Sequence, residues 1–194
     1  MADIVSTATS AVPVKRSLRD ATVGDMSTND YACVIARLPE DIGQELQRTH
    51  PDVVSLSGPL HLTLLPPVRC TRAKLPELLS FVAATAAEQS PFAITIAGAA
   101  TFWPTSPVLY LSVTRDPALR TLHQALCQGP LGCDFRFPFV PHITVGQVSD
   151  DAAAAAGVRA LSGFSAVVEL TQLDVIVGAL PDDWMTVASY SLAE

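Results

Sequence analysis

Two short strings constrain this chain more than any other feature: His61-Leu62-Thr63-Leu64 and His142-Ile143-Thr144-Val145. Each alternates a polar with an apolar residue, the period of a half-buried β-strand. Successive side chains of a strand point to opposite faces. His61 therefore shares a face with Thr63, and His142 with Thr144, while the apolar residues fill the other face. Such a chain must form a sheet with one face in a core and one face open, and it presents an imidazole and a hydroxyl from each of two strands. Paired imidazoles can supply a general base and a general acid. Paired hydroxyls can hold the oxygens of a phosphate.

The chain has four histidines, so chance agreement of two with this pattern is on the order of one per cent, the false-positive scale of a short motif. The other two fail it. His50 precedes Pro51 and reads as a surface or cap residue. His123 lies on a helical stripe with Leu119, Leu122 and Leu126 and reads as a packed boundary residue.

Composition bounds the partners. A net charge of −7, with no Lys/Arg run beyond Lys15-Arg16, argues against a basic surface that grips long nucleic acid. Any nucleic-acid substrate is expected to be a nucleotide, a short oligomer or an RNA end. No apolar run reaches the roughly 18 residues that suggest a membrane span. The first twenty residues lack the continuous apolar stretch of a signal peptide, so a cytoplasmic protein with no membrane partner is expected. Cys33, Cys70, Cys127 and Cys133 form no CxxC pair and read as free thiols. No His/Cys spacing matches a ligand pair, so neither a metal nor another cofactor is expected.

The local pattern gives an order of elements. Residues 1–28 are small, polar and without period, and read as an N-terminal extension, flexible or not, ahead of a single two-lobed domain at 29–194. A strand is expected at 31–38, with a helix opened by Pro39-Glu40-Asp41. The first His strand follows at 60–65 and is ended by Pro66-Pro67. A helix at 74–88, a strand at 92–97, a loop at 98–107 and a strand at 108–114 come next. A helix then starts at Asp116-Pro117, residues 135–141 lead into the second His strand, and a helix follows at 150–161. The chain closes with a hairpin of strands 166–177 and 184–192. Strand, helix and His strand occur at 31–65 and again at 108–148, an architectural repeat with its histidines about 80 residues apart. The mixture argues for an α+β fold of two lobes.

The two motifs resemble the paired HxT signature of the 2H phosphoesterase superfamily, which includes the 2′-5′ RNA ligase-like proteins and cyclic nucleotide phosphodiesterases. Residues 31–39 resemble that family's first strand and its entry into a helix. Residues 99–113 resemble the loop and strand before the second-lobe helix, and Phe139-Val140-Pro141-His142 the approach to the second histidine. The resemblance covers roughly 29–194. It implies a bilobal, pseudo-twofold fold in which two mostly antiparallel sheets line a central cleft, with helices outside. It further implies phosphodiester chemistry without an essential metal, on a 2′,3′-cyclic phosphate or a 2′-5′ linked nucleotide or RNA end. His61 and His142 would be the catalytic pair, and Thr63 and Thr144 the phosphate ligands.

The ligase-like group often carries Arg shortly after its second motif, where this chain has Gln147. An amide can hydrogen-bond a phosphate but brings no charge. The Val-Gly-Gln ending resembles a less characterised branch and leaves the substrate open, along with the acid and base assignment and the oligomeric state. Arg69, Arg72 and Arg136 read first as solvated cations and second as anion contacts. Phe102 and Trp103 read first as core and second as a base-stacking pair. The competing class is a non-catalytic nucleotide or RNA-end binding module of the same fold. A third reading, a scaffold with histidines in its core, requires the two motifs to lie far apart.

Overall fold

The computed structural model describes residues 4–5, 30–114, 116–133, 138–179 and 184–193. Its elements are β1 (Ile4–Val5), β2 (Tyr31–Arg37), α1 (Glu40–Thr49), β3 (His61–Arg69), α2 (Leu75–Ala87), β4 (Phe92–Thr101), β5 (Val108–Val113), α3 (Pro117–Cys127), β6 (His142–Gln147), α4 (Asp151–Leu161), β7 (Ser165–Leu170), β8 (Gln172–Gly178) and β9 (Met185–Ser191). The α+β class holds. The strands form one sheet in the order β1-β7-β4-β5-β6-β3-β2-β8-β9, which corrects the expectation of two separate sheets.

The order explains the repeat. The two His strands β6 and β3 are the central neighbours. β5 flanks one and β2 the other, and β4 and β8 lie beyond them. The units β2-α1-β3 and β5-α3-β6 are thus related across the middle of the sheet. β3 and β6 pair antiparallel at Leu62 and Ile143, and this narrow junction makes two lobes into one sheet.

Local chemistry accounts for the helix starts. The Asp116 carboxylate accepts from the Ala118 and Leu119 N–H groups, and Asp150 accepts from Ala153, so α3 and α4 open on capped donors. Pro39 precedes α1, whose first turn carries Glu40 and Asp41. The helices bury Leu46, Leu78, Val82, Leu119, Leu122 and Leu161 against Leu62, Leu64, Ile143 and Val145, forming a single cluster on one face of the sheet.

Three local expectations change. β3 runs through Pro66-Pro67 to Arg69. A register shift opposite Val34 absorbs the prolines, and among the described residues β3 pairs with β6 at Leu62 alone. Proline is tolerated where a strand bulges or has a free edge. β4 continues past Gly98, whose φ of 68° lies at a register shift between Ile96 and Ala99. The strand expected at 166–177 is two strands. β7 pairs with β4 and β8 with β2, so the chain crosses from one wing of the sheet to the other at Thr171. Ile4 and Val5, within the expected extension, pair in parallel with Ala166 and Val167, and the rest of 1–28 lies outside the described residues.

Leu62 is fully buried at the lobe junction. Leu62→Ala is expected to cost about 2–5 kcal/mol. Val167, at 51% exposure, is the control, and Val167→Thr is expected to stay within about 0.5 kcal/mol. Urea unfolding midpoints read both.

Candidate active site

The junction brings the two motifs together. With Leu62 opposite Ile143, one residue further each way sets His61 beside Thr144 and Thr63 beside His142. Residues opposite one another on antiparallel strands share a face. All four polar side chains therefore stand together on the face away from the main core, each histidine next to the other strand's threonine. His61, Thr63 and His142 are half-buried and Thr144 is exposed. The scaffold reading required the motifs to lie apart and is set aside.

The two imidazoles are held in the same way. Each Nδ1 lies against the carbonyl oxygen two residues earlier: Pro59 for His61, at 3.0 Å, and Val140 for His142, at 2.7 Å. A carbonyl only accepts, so Nδ1 carries the proton and donates it. Each Nε2 is left as an acceptor when the ring is neutral and a donor when it is charged. No protein group hydrogen-bonds either Nε2 or the hydroxyls of Thr63 and Thr144 among the described residues.

The surroundings differ sharply between the halves. His142 is packed by aromatic rings: Phe102 meets it edge-on at 4.9 Å between centroids, and Tyr110 at 5.3 Å. Phe102 and Tyr110 lie 4.4 Å apart. Tyr110 is opposite Thr144, and Ser112 opposite His142. Burial pushes the His142 pKa below the ordinary imidazole value; the Val140 carbonyl raises it in part, and the charge of His61 lowers it again. On the other side, Arg37 is opposite His61. Its Nε donates to the Asp174 carboxylate at 2.6 Å and its Nη2 to the Thr186 hydroxyl at 2.7 Å. Arg37, Asp174, Tyr110 and Ser112 were missed in the sequence because nothing local marks which neighbouring strand abuts a motif.

The remaining candidates separate. Phe102 borders the site, but Trp103 turns to α4, its Nε1 donating to Asp151 at 2.6 Å. Arg69 lies over the Tyr31 ring at 5.3 Å, six residues beyond Thr63. Arg72 lies in the turn before α2, and Arg136 falls outside the described residues. Gln147 is exposed at the end of β6, opposite Val108. His123 is buried, stacked on Phe139 at 3.7 Å, with Nδ1 2.7 Å from the Leu64 carbonyl; His50 ends α1. The four cysteines are free. No group of three His, Cys, Asp or Glu able to hold a metal stands together among the described residues, and no helix there is long and apolar enough to cross a membrane.

A family model described as the 2′-5′ RNA ligase superfamily matches residues 37–180. The chain belongs to that superfamily. The 2H resemblance read from the motifs is borne out with it. A curated relative of this superfamily member, named "Putative phosphoesterase", from Geobacillus thermodenitrificans, is 36% identical over 89 residues, which cover 46% of this chain and 51% of the relative. One from Bacillus pumilus is 31% identical over 113 residues, covering 58% and 66%. The chain thus spans about half the length of the first of these relatives. Crystal structures share the fold. E. coli LigT complexed with 3′-AMP superposes at a TM-score of 0.66 with 20% identity, over 86% of this chain and 99% of that one. A Thermus thermophilus protein gives 0.64 with 19% identity, over 84% and 97%.

The aromatic packing makes a prediction about protonation. The His142 ring is expected to titrate below about 6.5 by NMR, and Phe102→Ala, which opens the ring to water, is expected to raise that midpoint. The link to stability has a definite sign. An unfolded chain binds a proton at this ring at higher pH than the folded chain does. The ring's share of stability is therefore full above the unfolded value and is lost as pH falls toward the folded one. A His142 midpoint unchanged by Phe102→Ala would refute the role of the aromatic packing.

Proposed function

We propose that this protein is a metal-independent phosphoesterase that opens a 2′,3′-cyclic phosphate, or cleaves a 2′-5′ linkage, on a nucleotide or RNA end by two-histidine acid–base catalysis. The observation that carries the reading is the register of β3 against β6. It sets both histidines and both threonines on one face, with each Nδ1 tied to backbone and each Nε2 free. The relatives' phosphoesterase names support it. So do LigT structures described with 3′-AMP, ATP, NADP+ and phosphate.

In this reading the roles follow from the two environments. His142, kept neutral by burial, takes a proton from water at Nε2 as the water oxygen bonds to phosphorus. The bond from phosphorus to the leaving ribose oxygen breaks, and His61, as imidazolium, gives its Nε2 proton to that oxygen. Water adds across the ring, and a phosphate monoester with a free hydroxyl results. Each proton transfer is typically worth about 10²- to 10⁴-fold in rate. Thr63 and Thr144 donate to the non-bridging oxygens as charge builds on them. With the 5′-hydroxyl of a second RNA end in place of water, the same step forms a 2′-5′ phosphodiester as the bond from phosphorus to the 3′-oxygen breaks and that oxygen takes the proton from His61.

The test is turnover of a 2′,3′-cyclic nucleotide with EDTA present. His61→Ala and His142→Ala are each expected to lower kcat at least 10²-fold, and Thr63→Val and Thr144→Val about 10²-fold. The kcat/KM profile is expected to be bell-shaped, with its acid limb falling as His142 gains a proton. Near wild-type turnover in both histidine variants would overturn the mechanism. Substrate binding without turnover in the wild type would leave a binding module.

A further inference from the structure

Within the phosphodiester reading above, we propose that Arg37 forms a second phosphate subsite, so that the ligand is a nucleotide carrying another phosphate group beside the reacting one. Arg37 stands opposite His61 across β2 and β3, on the same face as both motifs. Its guanidinium does not turn toward His61. It reaches over β8 to Asp174 and on to Thr186 of β9. Thr63, Ile35 and Asp174 lie in line across three strands. With strands spaced about 4.8 Å apart, the guanidinium lies about 10 Å from the first histidine strand. That is too far to touch the phosphate between the two histidines, and it suits the next phosphate along a nucleotide chain.

The head group is built to stay there. Asp174 is 2% exposed and also accepts from the Gln172 amide at 2.8 Å, so both carboxylate oxygens are engaged. Arg37 keeps 37% of its side-chain surface. Its Nε and Nη2 are used, and Nη1 has no protein partner among the described residues. A guanidinium fixed on two sides and open on the third loses little side-chain freedom when an anion binds. In a chain of net charge −7, a cation held this way on the site's own face is the group able to select a second negative charge.

A purely structural role would also explain the ion pair, so the test must separate the two. Calorimetry compares adenosine 3′-monophosphate with adenosine 3′,5′-bisphosphate, in the wild type, in Arg37→Met and in the Arg37→Gln/Asp174→Asn double variant. The double variant leaves no buried charge unpaired, and melting curves establish that each variant is folded. The wild type is expected to bind the bisphosphate about tenfold more tightly, a gap that narrows with added salt. In both variants the ratio is expected to fall to about one. A dinucleotide ending in a 3′-phosphate tells a 5′-terminal phosphate from an internucleotide one. Only the first source is selected if the dinucleotide binds like the monophosphate. Equal wild-type affinity for mono- and bisphosphate, or a tenfold preference that survives both substitutions, overturns the subsite. Absence of cyclic-phosphate turnover by the wild type bears on the proposed reaction alone, because this readout is binding.

Discussion

Everything at the centre of this molecule depends on one antiparallel contact, Leu62 of β3 against Ile143 of β6. Both residues are fully buried, and their burial fixes the register of two strands that carry the same alternation. Because the side-chain period of a strand is two, a slip of one residue would turn a whole motif into the core. The apolar members of each motif thus position the polar ones. The same register leaves each histidine beside a threonine of the opposite strand, an arrangement that neither lobe could make alone. The second link between the wings, at Thr171, lies at the other end of the topology and joins β7 directly to β8.

Much of this was legible because it is local. Period-two alternation announced the His strands. Asp116-Pro117 and Asp150 announced helix starts, and the leucine stripe of α3 marked His123 as a packed boundary residue, which the structure buries. What was not legible is pairing. Nothing in the spacing of 61 and 142 says that β3 and β6 are neighbours, so one continuous sheet was read as two. The crossing at Thr171 did leave a trace. Residues of the main core cluster fall at Ala166, Val168 and Leu170, then shift phase to Leu173, Val175 and Val177. A single strand buried on one face cannot change phase, and a break in alternation of this kind is the signal of a strand that changes sides. The prolines of β3 and Gly98 of β4 misled for a related reason. Both are breakers in isolation, and both are absorbed by bulges whose existence depends on the partner strand.

The candidate site was legible in its motif and illegible in its surroundings. The four motif residues are symmetric, and a symmetric site would give two histidines of equal proton affinity. The chain breaks that symmetry with residues outside the motifs. Phe102 and Tyr110 dry out His142, whereas the strand beside His61 carries Arg37, whose guanidinium turns away to Asp174. In the proposed reaction this difference is what assigns the roles, because acid and base are separated when environments push two titratable groups apart.

Charge then limits what such a site can hold. A protein of net charge −7 repels polyanions at long range, so recognition must come from short contacts. The motif threonines are neutral donors, and Gln147, where the ligase-like group often has arginine, adds no charge at the end of β6. Neutral donors stabilise a phosphate mainly when its charge grows, which favours the transition state over the bound ground state. In the proposed reading the positive charge that meets the ligand is Arg37, set away from the motif histidines and anchored by the buried Asp174 carboxylate. In the same reading, grip on the ligand and catalysis on the phosphate fall to different strands: β6 and β3 for the chemistry, β2 and β8 for the hold.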